Sequence, residues 1–211
     1  LGLAALVGCA SAGPARVPAA QEMPVAAGEL LPKGPSVEPL PAGREGFLIV
    51  ETPRLDAQGR TDFERAIALL REREYAQAVP LLEQVIARSP GVTAPYINLA
   101  LAYRQLEQPE AAERQLKTAL TLLPAHPVAS HEYGLLLRQA GRFAEARTIY
   151  EQSLASFPGY LPVRRNLGIL CDLYLNDLAC ALEQYQLYSE AMPRDEQVKI
   201  WVADLQARLQ R

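Results

Sequence analysis

Residues 93–126 read TAPYINLALAYRQLEQPEAAERQLKTALTLLPAH and residues 127–160 read PVASHEYGLLLRQAGRFAEARTIYEQSLASFPGY. Laid one over the other, the two segments keep the same classes of residue at the same offsets. Tyr96, Leu99, Ala100, Tyr103, Ala112, Leu116, Ala119 and Pro124 of the first fall on Ser130, Tyr133, Gly134, Leu137, Ala146, Tyr150, Ser153 and Pro158 of the second. Pro124 and Pro158 therefore mark an internal repeat of 34 residues. A period of that length is the signature of a stacked array rather than of a chain folded once around one centre.

Inside each segment two apolar periodicities of helical spacing, Tyr96 to Leu106 and Glu110 to Leu122 in the first, are separated by the polar break Glu107, Gln108 and Pro109. The unit is a helical hairpin. Its small residues, Ala100 and Ala112 or Gly134 and Ala146, let two backbones approach, while Tyr103 and Leu116 fill the space beside them. The proline after the second helix stops it and turns the chain into the next copy. One hairpin cannot bury both its faces, so the copies have to stack into a solenoid.

The repeat extends in both directions. Upstream, Ala66, Tyr75, Ala78, Leu82 and Pro90 keep the offsets, with Arg65 where an apolar residue belongs, and Thr61 with Glu64 has capping-box spacing for a helix start. Downstream, Asn166, Leu167, Gly168, Ala181, Tyr185 and Pro193 keep them, but Pro158 to Pro193 spans 35 residues, which places one inserted residue near Leu175, Asn176 and Asp177. After Pro193, the residues Val198, Trp201, Val202, Leu205 and Leu209 share one helical face. They predict a helix that caps the last repeat, or one that waits for a partner with Trp201 as its anchor.

The period and the residue order resemble the tetratricopeptide repeat. By that resemblance the chain is all-α, a solenoid over residues 60–211, with repeats at about 60–92, 93–126, 127–160 and 161–194 and a capping helix at 195–211. The resemblance also implies that the first helices line a groove used for peptides. Carried over residue by residue, the partner-binding positions are Ile67, Leu70 and Arg71; Ile97, Leu101, Arg104 and Gln105; His131, Leu135, Arg138 and Gln139; and Arg165, Ile169, Asp172 and Leu173. An apolar ladder of Ile67, Leu101, Leu135 and Ile169 thus runs beside a row of arginines, a combination suited to a segment with apolar anchors and carboxylates. Taken singly, each arginine reads equally as a solvated side chain.

The N-terminal quarter has a different composition. Leu1 to Gly8 carries no charge and leads into Leu6-Val7-Gly8-Cys9, which resembles a bacterial lipobox. Residues 1–8 would then be the remnant of a signal peptide, and Cys9 the site of lipid attachment. Ala10 and Ser11 after it favour, by resemblance, an outer-membrane anchor facing the periplasm. Residues 9–59 hold eight of the chain's 17 prolines and read as a tether, which as a flexible coil reaches roughly 40 Å. Within it Phe47-Leu48-Ile49-Val50 is an apolar, β-prone island able to lie against the solenoid or to pair with another strand.

Composition and motifs argue against most other classes. With 21 basic and 24 acidic residues, a net charge of −3 and no basic stripe, nucleic acid is not an expected partner. The two histidines, His126 and His131, are five apart, off the spacing that would aim two metal ligands from one helical face. No phosphate loop or nucleophile elbow occurs, so the chain reads as non-enzymatic, without cofactor, metal or small-molecule substrate. Cys171 and Cys180 face each other across the turn of the last hairpin and form either a disulfide, which an oxidising periplasm permits, or two buried thiols. From Gly168 to Leu205 the sequence is similar to the closing repeat of periplasmic tetratricopeptide proteins associated with TonB and ExbB/ExbD-type motors or gliding machinery, with Cys171 where tyrosine is expected there. That resemblance implies a scaffold for an envelope complex. A pilotin-like lipoprotein for a type IV pilus secretin and an adaptor for an envelope hydrolase are the alternatives.

Overall fold

The computed structural model describes residues 36–39, 47–50 and 54–210. Residues 1–8 and Cys9 lie outside them. The chain divides into two units, Leu1–Thr52 and Pro53–Arg211.

In the first unit, β1 (Ser36–Pro39) pairs antiparallel with β2 (Phe47–Val50), Ser36 opposite Val50 and Pro39 opposite Phe47. The apolar island is thus a strand, and its pairing partner is a segment of the same chain. Ser36-Val37-Glu38 carries too little apolar signal to stand out from the surrounding prolines. Pro39, which has no N–H to give the ladder, sits at the strand end, where the loss is tolerated.

The second unit is helical: α1 (Ala57–Arg71), α2 (Tyr75–Arg88), α3 (Thr93–Gln105), α4 (Pro109–Leu122), α5 (Pro127–Gln139), α6 (Phe143–Ser156), α7 (Leu161–Leu173), α8 (Leu178–Ala191) and α9 (Glu196–Leu209). They pair in order as four hairpins, α1 with α2 through α7 with α8, and α9 packs on α8. Across repeats, α1 meets α3, α3 meets α5 and α5 meets α7, whereas α2, α4, α6 and α8 do not come within 8 Å, Cα to Cα, of one another. Helices α1, α3, α5 and α7 therefore form the inner, mutually packed row of a curved solenoid, and the even-numbered ones its outer row.

Small-to-large pairing sets the approach of the two helices in each hairpin. Ala66 with Leu82, Ala100 with Leu116, Gly134 with Tyr150 and Gly168 with Tyr185 are all buried. A Cβ on Gly134 would lie 2.1 Å from Tyr150 Cε1, and one on Gly168 2.5 Å from Tyr185 Cε1, so the two tyrosines need glycine opposite them. The hairpin turns repeat as well. Arg73, Glu107, Gly141 and Asn176 all adopt positive φ. The first three stand 34 residues apart and Asn176 one further on, which locates the insertion. In the first three turns the amide three residues past the helix end reaches back five residues, as in Gln108 N–H to Tyr103 C=O at 2.9 Å, closing the orphan carbonyls of the last turn.

One helix start differs from the sequence reading. α1 begins at Ala57, and its cap is Asp56, whose Oδ1 accepts the Gly59 N–H at 2.6 Å. Thr61 lies inside the helix, donating its hydroxyl to Ala57 C=O at 3.2 Å. A carboxylate satisfies an N-terminal amide at least as well as a threonine, and the helix simply runs through the buried Gly59.

Candidate functional site

The inner row presents the ladder Ile67, Leu101, Leu135 and Ile169, each half-buried and each at the same place in its repeat. Leu70 beside it is also half-buried, and Arg71, Gln105 and Gln139 are exposed at the helix ends. Ile97 is a correction. It is fully buried in a cluster with Tyr96, Ala119 and Ala129, packed by Ile86, Leu120 and Val128, so it belongs to the core rather than to an open groove wall. Leu173 stands out at 68% exposed.

The arginine row is mostly committed to partners within the chain. Arg104 Nη1 donates to Glu132 Oε2 at 2.5 Å, joining α3 to α5. Glu132 is also the partner of the neighbouring His131 Nδ1, at 3.3 Å. Burial pushes the Glu132 carboxyl up, but His131 and Arg104 together outweigh it and hold the group below its ordinary range. Asn166 Nδ2 donates to the other His131 nitrogen at 2.9 Å and to Pro162 C=O at 2.9 Å. That arrangement puts the histidine proton on Nδ1, toward Glu132. Asn98 likewise bonds back to Ala94 C=O at 2.9 Å, so each asparagine bonds within its own helix and Asn166 also ties α7 to α5. Asp172 accepts from Arg208 of α9 at 2.8 Å.

Arg138 and Arg165 stand apart. Their guanidinium carbons lie over aromatic rings, Arg138 5.7 Å from the Tyr174 centroid and Arg165 5.2 Å from that of Trp201. Trp201 in turn tilts against Tyr185 at 5.1 Å. Arg138 Nη1, Arg165 Nε and the Tyr150 hydroxyl are buried with no hydrogen-bond partner among the described residues. The sequence reading missed Glu132, Tyr174 and Arg208 as parts of this face. Glu132 was within reach of inspection, since it follows Arg104 by 28 residues and directly adjoins a groove position.

On the outer side Glu113 gathers Arg142 at 2.9 Å, Lys117 at 2.7 Å and the Tyr133 hydroxyl at 3.0 Å. Burial raises its carboxyl, but these three donors win and hold it down at about 2. Cys171 and Cys180 are joined in a disulfide, Cα atoms 5.9 Å apart, across the turn from α7 to α8. With Asp177 they are the one group of metal-type ligands among the described residues. Their sulfurs are bonded to each other, and Asp177 caps α8 through the Cys180 N–H at 3.0 Å while accepting Arg147 at 2.9 Å. His126, the cap of α5, is fully buried, and burial pushes its imidazole down to about 4. No described helix is long and apolar enough to cross a membrane.

Two family models, both described as tetratricopeptide repeat, match residues 69–130 and 127–170. No curated protein sequence matches. Among solved structures, the MamA fragment 41-end from Desulfovibrio magneticus RS-1 is 18% identical with a TM-score of 0.63, over 74% of this chain and 88% of that one. Pseudomonas aeruginosa pilF is 19% identical with a TM-score of 0.65, over 72% and 69%. TTC0263, a thermophilic tetratricopeptide repeat protein of Thermus thermophilus, is 23% identical with a TM-score of 0.59, over 71% and 81%. At these identities the likeness is one of fold. Hairpin order and the 34-residue turn period show that residues 57–209 form a helical-hairpin solenoid, and over residues 69–170 its repeats match the tetratricopeptide repeat.

Proposed function

We propose that the chain is a non-catalytic scaffold that holds a protein or peptide partner against the inner row of helices. The observation that carries this is the half-exposed ladder Ile67, Leu101, Leu135 and Ile169, an apolar strip kept at one repeat position through all four hairpins. The scaffold works in the periplasm, anchored to the outer membrane through a lipidated Cys9 and serving an envelope complex of the TonB/ExbB/ExbD-type motor. Leu6-Val7-Gly8-Cys9 supports the anchor, and the Cys171–Cys180 bond supports an oxidising compartment. A pilotin-like role at a secretin is the second reading, compatible with the shared fold of pilF.

Crosslinking capture from membranes of the source cell, comparing wild type with Leu101→Glu plus Leu135→Glu after circular dichroism shows equal folding, tests the groove. A motor subunit caught by wild type and lost from the variant supports the first reading; a secretin lost in the same way supports the second. A partner that persists in the variant removes the groove from the account. Metabolic labelling with an alkyne palmitate, with and without Cys9→Ser, tests the anchor, and an unlabelled wild type would refute it.

A further inference from the structure

α9 keeps the period of the inner helices. α3, α5 and α7 begin at Thr93, Pro127 and Leu161, and α9 begins at Glu196, 35 residues on, the same one-residue offset that the last turn carries. Its buried Val198 and Leu205 fall on the buried Val163 and Leu170 of α7, and it packs on α8 as α3 packs on α2, α5 on α4 and α7 on α6. It meets α7 through side chains, Arg208 on Asp172 and Arg165 over Trp201. α9 thus holds the place of the first helix of a fifth hairpin, and among the described residues no second helix closes over it.

The open face of α9 shows what is missing. Ala203 falls on Ala100, Gly134 and Gly168, each buried beneath the large residue of its own outer helix, yet Ala203 is exposed. Val202 falls on Leu99, Tyr133 and Leu167, all buried, but is itself only half-buried; Ile200 falls on the fully buried Ile97 and is 63% exposed. Trp201 is turned the other way, onto Tyr185, so it is not the anchor of this face. Beside Val202 an open cleft of about 380 Å³ runs along α8, lined by Gln186, Ser189 and Glu190. Charge there is one-sided. No Lys or Arg occurs from Leu178 to Pro193, Glu190 is exposed and forms no ion pair among the described residues, and the next cation, Arg194, lies in the turn to α9. On α9 the charges cancel, Lys199 on Glu196 at 2.8 Å and Arg208 on Asp204 at 3.3 Å.

We propose that the open side of α9 and the adjoining edge of α8 form a second interaction surface, separate from the inner row, which takes one basic amphipathic helix of a partner protein. That helix lies where the outer helix of a fifth hairpin would lie. A leucine on its apolar side seats over Ala203 as Leu116 seats over Ala100, and Lys or Arg on its flank faces Glu190. Four hairpins of the same chain show that a helix is what covers a face of this shape, and the acidic edge of α8 selects the flank. A second copy docked through the same face would set two acidic edges together, so charge favours a different chain.

The chain supplies its own probe. It is the α4 sequence, Pro109–Leu122, made as a fluorescently labelled peptide with blocked ends and stapled on its outward side, because an isolated helix of that length is marginal. Arg142 and Asp177 meet the preceding outer helix from the position that Gln108 holds in this repeat, and that row continues along one helical face through Ala111 and Gln115. Ala111→Lys plus Gln115→Lys therefore makes a basic peptide, and Ala111→Glu plus Gln115→Glu an acidic one. In anisotropy titrations with the full chain, the basic peptide is expected to bind saturably and about tenfold more tightly than the acidic one. Leu116→Ala in the basic peptide, or Ala203→Glu in the chain, should each weaken binding about tenfold, and Glu190→Lys should erase the preference for the basic peptide. Residues 190 and 203 are exposed, so circular dichroism should not change; if Ala203→Glu misfolds, Ile200→Glu makes the same test. Leu101→Glu plus Leu135→Glu should leave binding as it is. Equal binding of the basic and acidic peptides, no saturable binding at millimolar concentration, or indifference to Ala203→Glu overturns the proposal. So does self-association of the chain that Ala203→Glu abolishes, which would make a second copy the occupant. Loss of binding in the Leu101 and Leu135 variant would also overturn it, placing the peptide on the inner row and leaving that reading intact.

Discussion

Gly134→Ala is a single methyl group added to the centre of the third repeat, and the structure fixes where it goes. The new Cβ would stand 2.1, 2.4 and 2.8 Å from Cε1, Cζ and Cδ1 of Tyr150, a ring that is fully buried. The ring has to retreat by about 1 Å or more into its packed neighbours, and overpacking of that kind costs about 1–3 kcal/mol. Alanine in a helix returns about 0.5–1 kcal/mol relative to glycine, so a retreat at the upper end of that range nets a loss of about 2 kcal/mol. In a unit of this size that lowers the melting temperature by about 4–8 °C. Tyr150→Leu alone should cost about 2 kcal/mol from lost burial and the space left behind. The double variant recreates the Ala100–Leu116 pair of the preceding repeat and should be no less stable than Tyr150→Leu by itself, a coupling of about 2 kcal/mol. Guanidinium denaturation followed by circular dichroism and by Trp201 emission measures all four corners of the cycle. A Gly134→Ala protein within about 0.5 kcal/mol of wild type, or additive losses in the double variant, would refute the steric account.

Glu107→Gly should raise stability by about 0.5–1 kcal/mol in the same denaturation assay, because residue 107 sits at φ 58° in a turn where only the third repeat uses glycine. Glu113, held down at about 2 by its three donors, contributes stability that is complete above the unfolded value near 4.5 and is lost as pH falls through 2. Glu113→Gln should therefore flatten the acid limb of a pH–stability profile, by about 1–2 kcal/mol after allowance for solvent screening of a partly exposed group. Reduction of the Cys171–Cys180 bond, or its replacement by Cys171→Ala plus Cys180→Ala, should lower the unfolding free energy by about 2–3 kcal/mol, the chain-entropy value for so short a loop.

The hairpins were legible because their signal is written several times over. Pro90, Pro124 and Pro158 recur at 34, and each small residue at the centre of an inner helix has its large partner in the outer one. Features written once were harder to see. Thr61-x-x-Glu64 is a sound capping pattern, but Asp56 outcompetes it from five residues upstream, beyond a glycine that looks like a breaker. The family resemblance put Ile97 on the inner face, yet burial depends on Ala119 of α4 and Ala129 of α5, which the pattern of one helix does not reach. The arginine row was found as residues and misjudged as chemistry. Whether Arg104 is free depends on Glu132, and whether Asp172 is free depends on Arg208 36 residues away. Those pairings are set by the stacking of one repeat on the next, which no window of a single repeat contains.

The two rows of the solenoid are held by different forces, and that gives it an uneven elasticity. The inner helices touch one another across repeats, and each outer helix also packs on the inner helix that follows it. Outer helix to outer helix, the links are side chains alone, Glu113 of α4 to Arg142 at the start of α6, and Arg147 of α6 to Asp177 at the start of α8. Such splices are ionic, so they slacken with salt and with acid; on the inner row the Arg104–Glu132 pair between α3 and α5 does the same, while the apolar contacts beside it do not. The solenoid is in this sense a leaf spring laminated from a mostly apolar layer and a mostly electrostatic one, whose curvature yields more readily on the outer side.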